Sequence, residues 1–217
     1  MKNFTLMLTL LVGAVLASSC HTSRAIKPME EGEWRIGANY GGPRVNDFNI
    51  PLMSAYVARG ATEQTTQFAG LNITSLMFNT VQLDFGELRG IRPYSSLASP
   101  GLSWYWAGNS LLSTRDYAYR LYPEIGANAY WTYGVHTWHI SGALWTDPTF
   151  FMTEYGKGQL LAPAFTAGYR MRWKALEAHV EYKLLNPTQD LVIPQATVPG
   201  LYELGGRGIY FGAAINF

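Results

Sequence analysis

Phe165-Thr166-Ala167-Gly168-Tyr169-Arg170-Met171-Arg172-Trp173, followed after Lys174-Ala175 by Leu176-Glu177-Ala178-His179-Val180-Glu181-Tyr182-Lys183-Leu184, decides the fold. In the first run the odd positions are apolar and the even ones are Thr, Gly, Arg and Arg. In the second the phase reverses: even positions are apolar and odd ones are Glu, His, Glu and Lys. Period-two alternation marks a strand with two unlike faces. Roughly ten tilted residues is also the length that crosses a membrane as a strand. A tight turn at Lys174-Ala175 sets Trp173 opposite Leu176, Arg172 opposite Glu177 and Arg170 opposite His179, with Glu181 one diagonal away. Apolar groups then share one face and charges of opposite sign meet on the other. A soluble sandwich has little use for both arginines set against acids; a barrel lumen accommodates them.

The same logic extends outward. Tyr122 to Thr132, a turn at Tyr133-Gly134 and a return from Val135 to Thr146 form a second predicted hairpin. In that register Ile125, Ala127, Ala129 and Trp131 oppose Gly142, Ile140, Trp138 and His136. The polar face pairs Asn128 with His139 and Gly126 with Ser141, near Glu124. The chain ends with Ile209, Phe211, Ala213, Ile215 and Phe217 alternating with Tyr210, Gly212, Ala214 and Asn216.

That ending resembles the last strand of outer-membrane β-barrel proteins, and the chain is similar to the small OmpA/OmpX-like barrel class. The resemblance implies that Phe217 is the signal read by the barrel-assembly machinery and lies at the periplasmic end. Turns 133–134 and 174–175 are then periplasmic, and 108–121, 147–160 and 187–204 are outer loops. Trp131, Tyr133, His136, Trp173 and Phe217 gather at the periplasmic interface, where amphipathic rings are favoured. Upstream, Glu33 to Tyr40, Phe78 to Gly86 and Gly101 to Ala107 read as strands. With five C-terminal strands they give eight. Pro51 to Arg59 and a weak strand near Gln64 to Ile73 would make ten. The expected fold is all-β, an antiparallel up-and-down transmembrane β-barrel, with eight strands favoured and ten possible.

Composition agrees. Charged residues are 14% of the 217, aromatics 14%, and glycines number 22. Soluble domains are usually about a quarter charged. A net charge of +1 gives no basic field for nucleic acid. Lys2 and the apolar run Phe4 to Ala17 form an export leader. Leu16-Ala17-Ser18-Ser19-Cys20 resembles the lipobox of bacterial lipoproteins, which implies acylation of Cys20, the only cysteine. Cleavage after Ser23-Arg24-Ala25 is the rival. The expected organisation is a signal peptide over 1–19, a tether over 20–31 and the barrel over 32–217, located in the outer membrane.

The expected lumen network is Arg170, Arg172, Glu177, His179, Glu181 and Lys183. No cofactor and no metal site is expected, because the histidines and the cysteine lack ligand spacing. His139-Ile140-Ser141 resembles the His-x-Ser element of lipid A deacylases, with Glu154 as a nearby acid. That resemblance implies an acyl-ester hydrolase whose triad faces lipid, whereas the register turns His139 inward. Three functions remain open: a structural or interaction barrel of the envelope, a narrow porin, and the lipid A hydrolase. The expected partners are outer-membrane lipid, lipopolysaccharide and the assembly machinery.

Overall fold

The structure, a computed structural model, describes residues 24–45, 48–49, 51–77, 79–115, 117–148, 160–187 and 206–217. Within them the chain forms strands β1 (Trp34–Val45), β2 (Phe48–Asn49), β3 (Leu52–Thr62) and β4 (Thr65–Asn72), then one short helix, α1 (Ile73–Leu76). There follow β5 (Thr80–Arg92), β6 (Gly101–Ser113), β7 (Tyr119–Tyr133), β8 (His136–Thr146), β9 (Leu161–Trp173), β10 (Leu176–Leu185) and β11 (Gly206–Asn216). Each long strand pairs antiparallel with the next in sequence, and β11 returns to β1. The two-residue β2 only folds back on the end of β1. The result is a closed up-and-down barrel of ten strands, not the favoured eight. Closure runs from Arg35↔Asn216 to Pro43↔Gly208, and Trp34 and Phe217 exchange backbone hydrogen bonds at its end. No described helix is long and apolar enough to cross a membrane, which leaves crossing by strands open.

The two added strands are β3 and β4, where alternation of polarity is weakest. In β4 the aromatic Phe68 points inward and is buried, while Gln67 points outward. That inversion hides the strand from a polarity pattern. Strands β5 and β6 also run past their expected ends, so 108–121 is mostly strand and only 114–118 connects β6 to β7.

The C-terminal hairpin has the expected register, with Trp173↔Leu176, Arg172↔Glu177 and Arg170↔His179. The β7–β8 hairpin does not. Its turn residues are Gly134-Val135, and the observed pairs are Tyr133↔His136, Ala127↔Gly142, Asn128↔Ser141 and Tyr130↔His139. Gly134 adopts φ +57°, open to glycine without a Cβ penalty, so the tight turn centres one residue later than expected. The slip is two residues, so every side chain keeps its face.

The faces are inverted relative to a soluble protein. Ile36, Phe85, Trp106, Ile125, Ile140, Phe165 and Phe211 point outward with 43% to 56% of their surface exposed. Arg35, Asp84, Glu124, Arg170, Glu177, Glu181 and Lys183 are buried inside. Near the Phe217 end, outside the wall, His136 stacks on Tyr169 at 5.9 Å and the Tyr169 hydroxyl lies 2.6 Å from its Nδ1. Thus His136 contacts Tyr169 and Trp138 in an aromatic cluster.

Candidate functional site in the barrel lumen

A ten-stranded cylinder is wider than the eight-stranded one that wall side chains just fill. The extra room is taken by the chain's own N-terminal segment. Residues 24–29 run along the inner face, and Glu30 and Glu31 are exposed. Ala25, Ile26 and Met29 are buried against the inner face, and the Arg24 guanidinium is surrounded by wall residues. The guanidinium is 2.9 Å from Glu124 and 3.5 Å from Asp84. It lies 5.1 Å from the ring centres of both Phe68 and Tyr105, a cation–π pair of contacts. Tyr105 and Asn109 donate to the two oxygens of Glu124, at 2.8 and 3.0 Å.

The backbone of the segment is held as well. The Met29 amide donates to Thr66 Oγ1 (2.8 Å), and Ser103 Oγ donates to the Ile26 carbonyl (2.7 Å). Two glycines of the wall make way for it. A Cβ at Gly60 would overlap the Glu30 carbonyl, and one at Gly90 would lie 2.8 Å from Pro28 Cγ.

Across the lumen stands the network named from the sequence. Arg170 donates to Glu177 Oε1 at 3.0 Å and also to Glu181. Arg35 reaches Glu177 Oε2 at 3.0 Å, and Lys183 reaches Glu181 Oε2 at 3.2 Å. Arg170 therefore bridges two acids diagonally instead of bonding the residue opposite it. Arg172 is also displaced from its opposite residue: it bonds Glu33, at the edge of the lumen, with its side chain 38% exposed. His179 is hydrogen-bonded to Asn39 (2.9 Å) and packs over Gly212, where a Cβ would overlap its ring. The two clusters meet at one atom, because Arg170 also donates to the Arg24 carbonyl at 2.6 Å. Further from the Phe217 end, Leu111, Tyr122, Trp145, Ala162, Ala164 and Leu185 form an apolar interior layer.

His139 and Ser141 both point into this lumen, but not at each other. Ser141 Oγ donates to Asn128 Oδ1 (2.6 Å), and Asn128 in turn donates to Ser103 (2.9 Å). His139 Nε2 lies 3.6 Å from Glu181, and neither ring nitrogen has a hydrogen-bond partner among the described residues. A cavity of about 30 Å³ adjoins it, lined in part by Ser141, Thr166 and Arg170, with room for a single water. The bonded serine–base pair of a hydrolase is not formed. No cluster of three metal-ligating groups exists among the described residues. Cys20 and Glu154 lie outside the described residues.

Sequence reasoning missed Arg24, Asp84, Tyr105 and Asn109 as parts of the lumen. Arg35 and Asn39 were legible, since they alternate with Trp34, Ile36, Ala38 and Tyr40. Arg24 carries no local signal, because nothing around it alternates.

No protein-family model matches the chain. No curated protein matches it either. The translocator domain of the autotransporter NalP from Neisseria meningitidis is similar at 8% identity, covering 100% of this chain and 96% of that one, with a TM-score of 0.45. The transport unit of the autotransporter AIDA-I from Escherichia coli is similar at 10% identity, over 95% and 96% of the two chains, with a TM-score of 0.39. Ail, the attachment invasion locus protein of Yersinia pestis, is similar at 10% identity over 86% and 99%, with a TM-score of 0.29. The class that fold and lumen define here is a closed ten-stranded β-barrel with a filled interior, and it rests on the register given above.

Proposed function

We propose that the protein is an outer-membrane β-barrel of the Gram-negative envelope, closed to ions, with a structural or interaction role. One observation carries this reading: large apolar side chains cover the outside while paired charges are buried within. In water that arrangement loses the hydrophobic contribution of the outer face and still bears the desolvation of the inner one. In a bilayer both faces meet their proper surroundings. Closure of the ten-stranded wall, β11 onto β1, meets the requirement that backbone polar groups in a bilayer be paired within the sheet.

The exposed Phe217 then sits at the periplasmic end, available to assembly machinery. A shallow depression on the outer wall, over Ala127, Ala129, Gly142 and Ala167 beside Phe165, suits an acyl chain of the surrounding lipid or lipopolysaccharide. The narrow-porin reading is weakened although the strand count reaches ten, because residues 24–29 and the charge network occupy the lumen. The hydrolase reading is weakened because His139 and Ser141 point inward and do not bond each other.

The test is membrane fractionation followed by planar-bilayer recording of the purified protein. The expected result is outer-membrane recovery, heat-modifiable migration in gels and no steady current. A stable current would establish the porin reading instead, and recovery from the soluble fraction would end the membrane reading.

A further inference from the structure

Resting on the exported-barrel reading above, the geometry points to a processing site: we infer that the export leader is removed upstream of Arg24, and that Arg24–Met29 is retained as a built-in plug. By sequence alone Ser23-Arg24-Ala25 is an acceptable junction, with small residues at the first and third places before the cut. Cutting there removes Arg24 and Ala25. Yet Arg24 is the cation that faces both buried carboxylates, Glu124 and Asp84, and its carbonyl receives Arg170 from the opposite wall. Ala25 is 2% exposed, packed among Phe68, Tyr105 and Ala107.

The wall is moulded on this stretch in ways a discarded leader would not need. Gly60 and Gly90 leave room for Glu30 and Pro28. Thr66 and Ser103 are buried polar side chains whose hydroxyls engage the Met29 amide and the Ile26 carbonyl. A chain beginning at Ile26 would put a new α-ammonium where a neutral peptide now lies and would leave Glu124 and Asp84 facing the space of a lost guanidinium. Hydrolysis upstream adds one water across one peptide bond, giving a carboxylate on the leader and an amino terminus on the mature chain. All the luminal contacts of the segment survive it.

The test is intact mass and N-terminal sequencing of the full-length gene product recovered from the outer membrane of a Gram-negative host. The expected chain has lost its leader and begins no later than Arg24, with or without the mass of an acyl adduct on Cys20. A chain beginning at Ile26 or later overturns the inference and leaves the membrane reading standing. A chain that keeps its leader overturns the inference as well, and absence of the product from the outer membrane overturns the membrane reading. Ala25→Gln separates processing from folding, since leader removal precedes barrel assembly and a large side chain before the scissile bond blocks the rival junction. Unchanged processing of this variant supports the inference. Accumulation of the precursor overturns it.

Discussion

The two sides of the barrel fill the same lumen by different means. On the β9–β10–β11–β1 side, the wall supplies its own filling: Arg170, Glu177, Glu181, Lys183 and Arg35 project inward and neutralise one another, and His179 bonds Asn39. On the β3–β7 side, the wall offers Ala58, Phe68, Leu88, Tyr105 and Ala107, and the filling is a peptide that arrives from outside the sheet. Both give a packed, charge-matched interior. Only the first writes itself as alternating polarity, because there the wall residues themselves must be polar. On the second, small, aliphatic and aromatic inner residues seat Ala25 and Met29, interspersed with Asp84 and Glu124, which meet Arg24. A lumen packed by a separate segment therefore reads as a poor barrel wall.

The largest effect should come from the joint between the two sides. Arg24→Ala removes a buried cation from beside Glu124 and Asp84, and Arg170→Ala removes the cation that bridges Glu177 and Glu181, which keep Arg35 and Lys183. Each should cost about 3–5 kcal/mol, read as a lower midpoint for the heat-modifiable gel shift or for urea unfolding in detergent. Because Arg170 also bonds the Arg24 carbonyl, the double variant should lose less than the sum. Strict additivity would mean that the two sides are independent.

Next is the seat of the segment. Gly60→Ala places a methyl group on the Glu30 carbonyl and should cost roughly 1–3 kcal/mol. Residues 24–31 should then become open to proteolysis while the wall stays intact. Gly142→Ala, on the outer face, meets nothing nearer than 3.9 Å and should stay within about 0.5 kcal/mol. Equal effects at the two glycines would remove the case for a moulded wall.

Ser141→Ala removes the first donor of the chain that runs through Asn128 and Ser103 to the Ile26 carbonyl. About 1 kcal/mol of stability should be lost, and mass spectra of lipid A from expressing cells should not change. Altered acylation would instead restore the hydrolase reading. The smallest effect belongs to Arg172→Ala. Its partly exposed pair with Glu33 should contribute no more than about 1 kcal/mol and fade with added salt. A loss as large as that of Arg170→Ala would show that the mouth of the lumen is as dry as its middle.

Much of the wall was open to reading from the chain itself. The β9–β10 hairpin could be paired residue by residue because the phase reversal fixes the turn between Trp173 and Leu176. The last strand could be assigned its faces for the same reason. The β7–β8 turn was placed one residue early, since polarity with a period of two cannot distinguish registers that differ by two. Strand β4 was faint because Phe68 is turned inward to meet a guanidinium. The candidate pair His139 and Ser141 was rightly placed on one face, but their true partners, Glu181 and Asn128, follow from pairings between strands.

Alternation is a local property: each strand declares its two faces within a few residues, and so the β-class, the outward apolar surface and the inward charges of the C-terminal side belong to the sequence alone. How many strands close the cylinder, and what occupies its interior, depend on a balance of volume and charge over the whole circumference. Arg24 meets Glu124 across a separation of 100 residues, and no neighbourhood in the chain records that contact. Only the closed barrel brings them together, because its width leaves a space that the wall side chains do not fill by themselves.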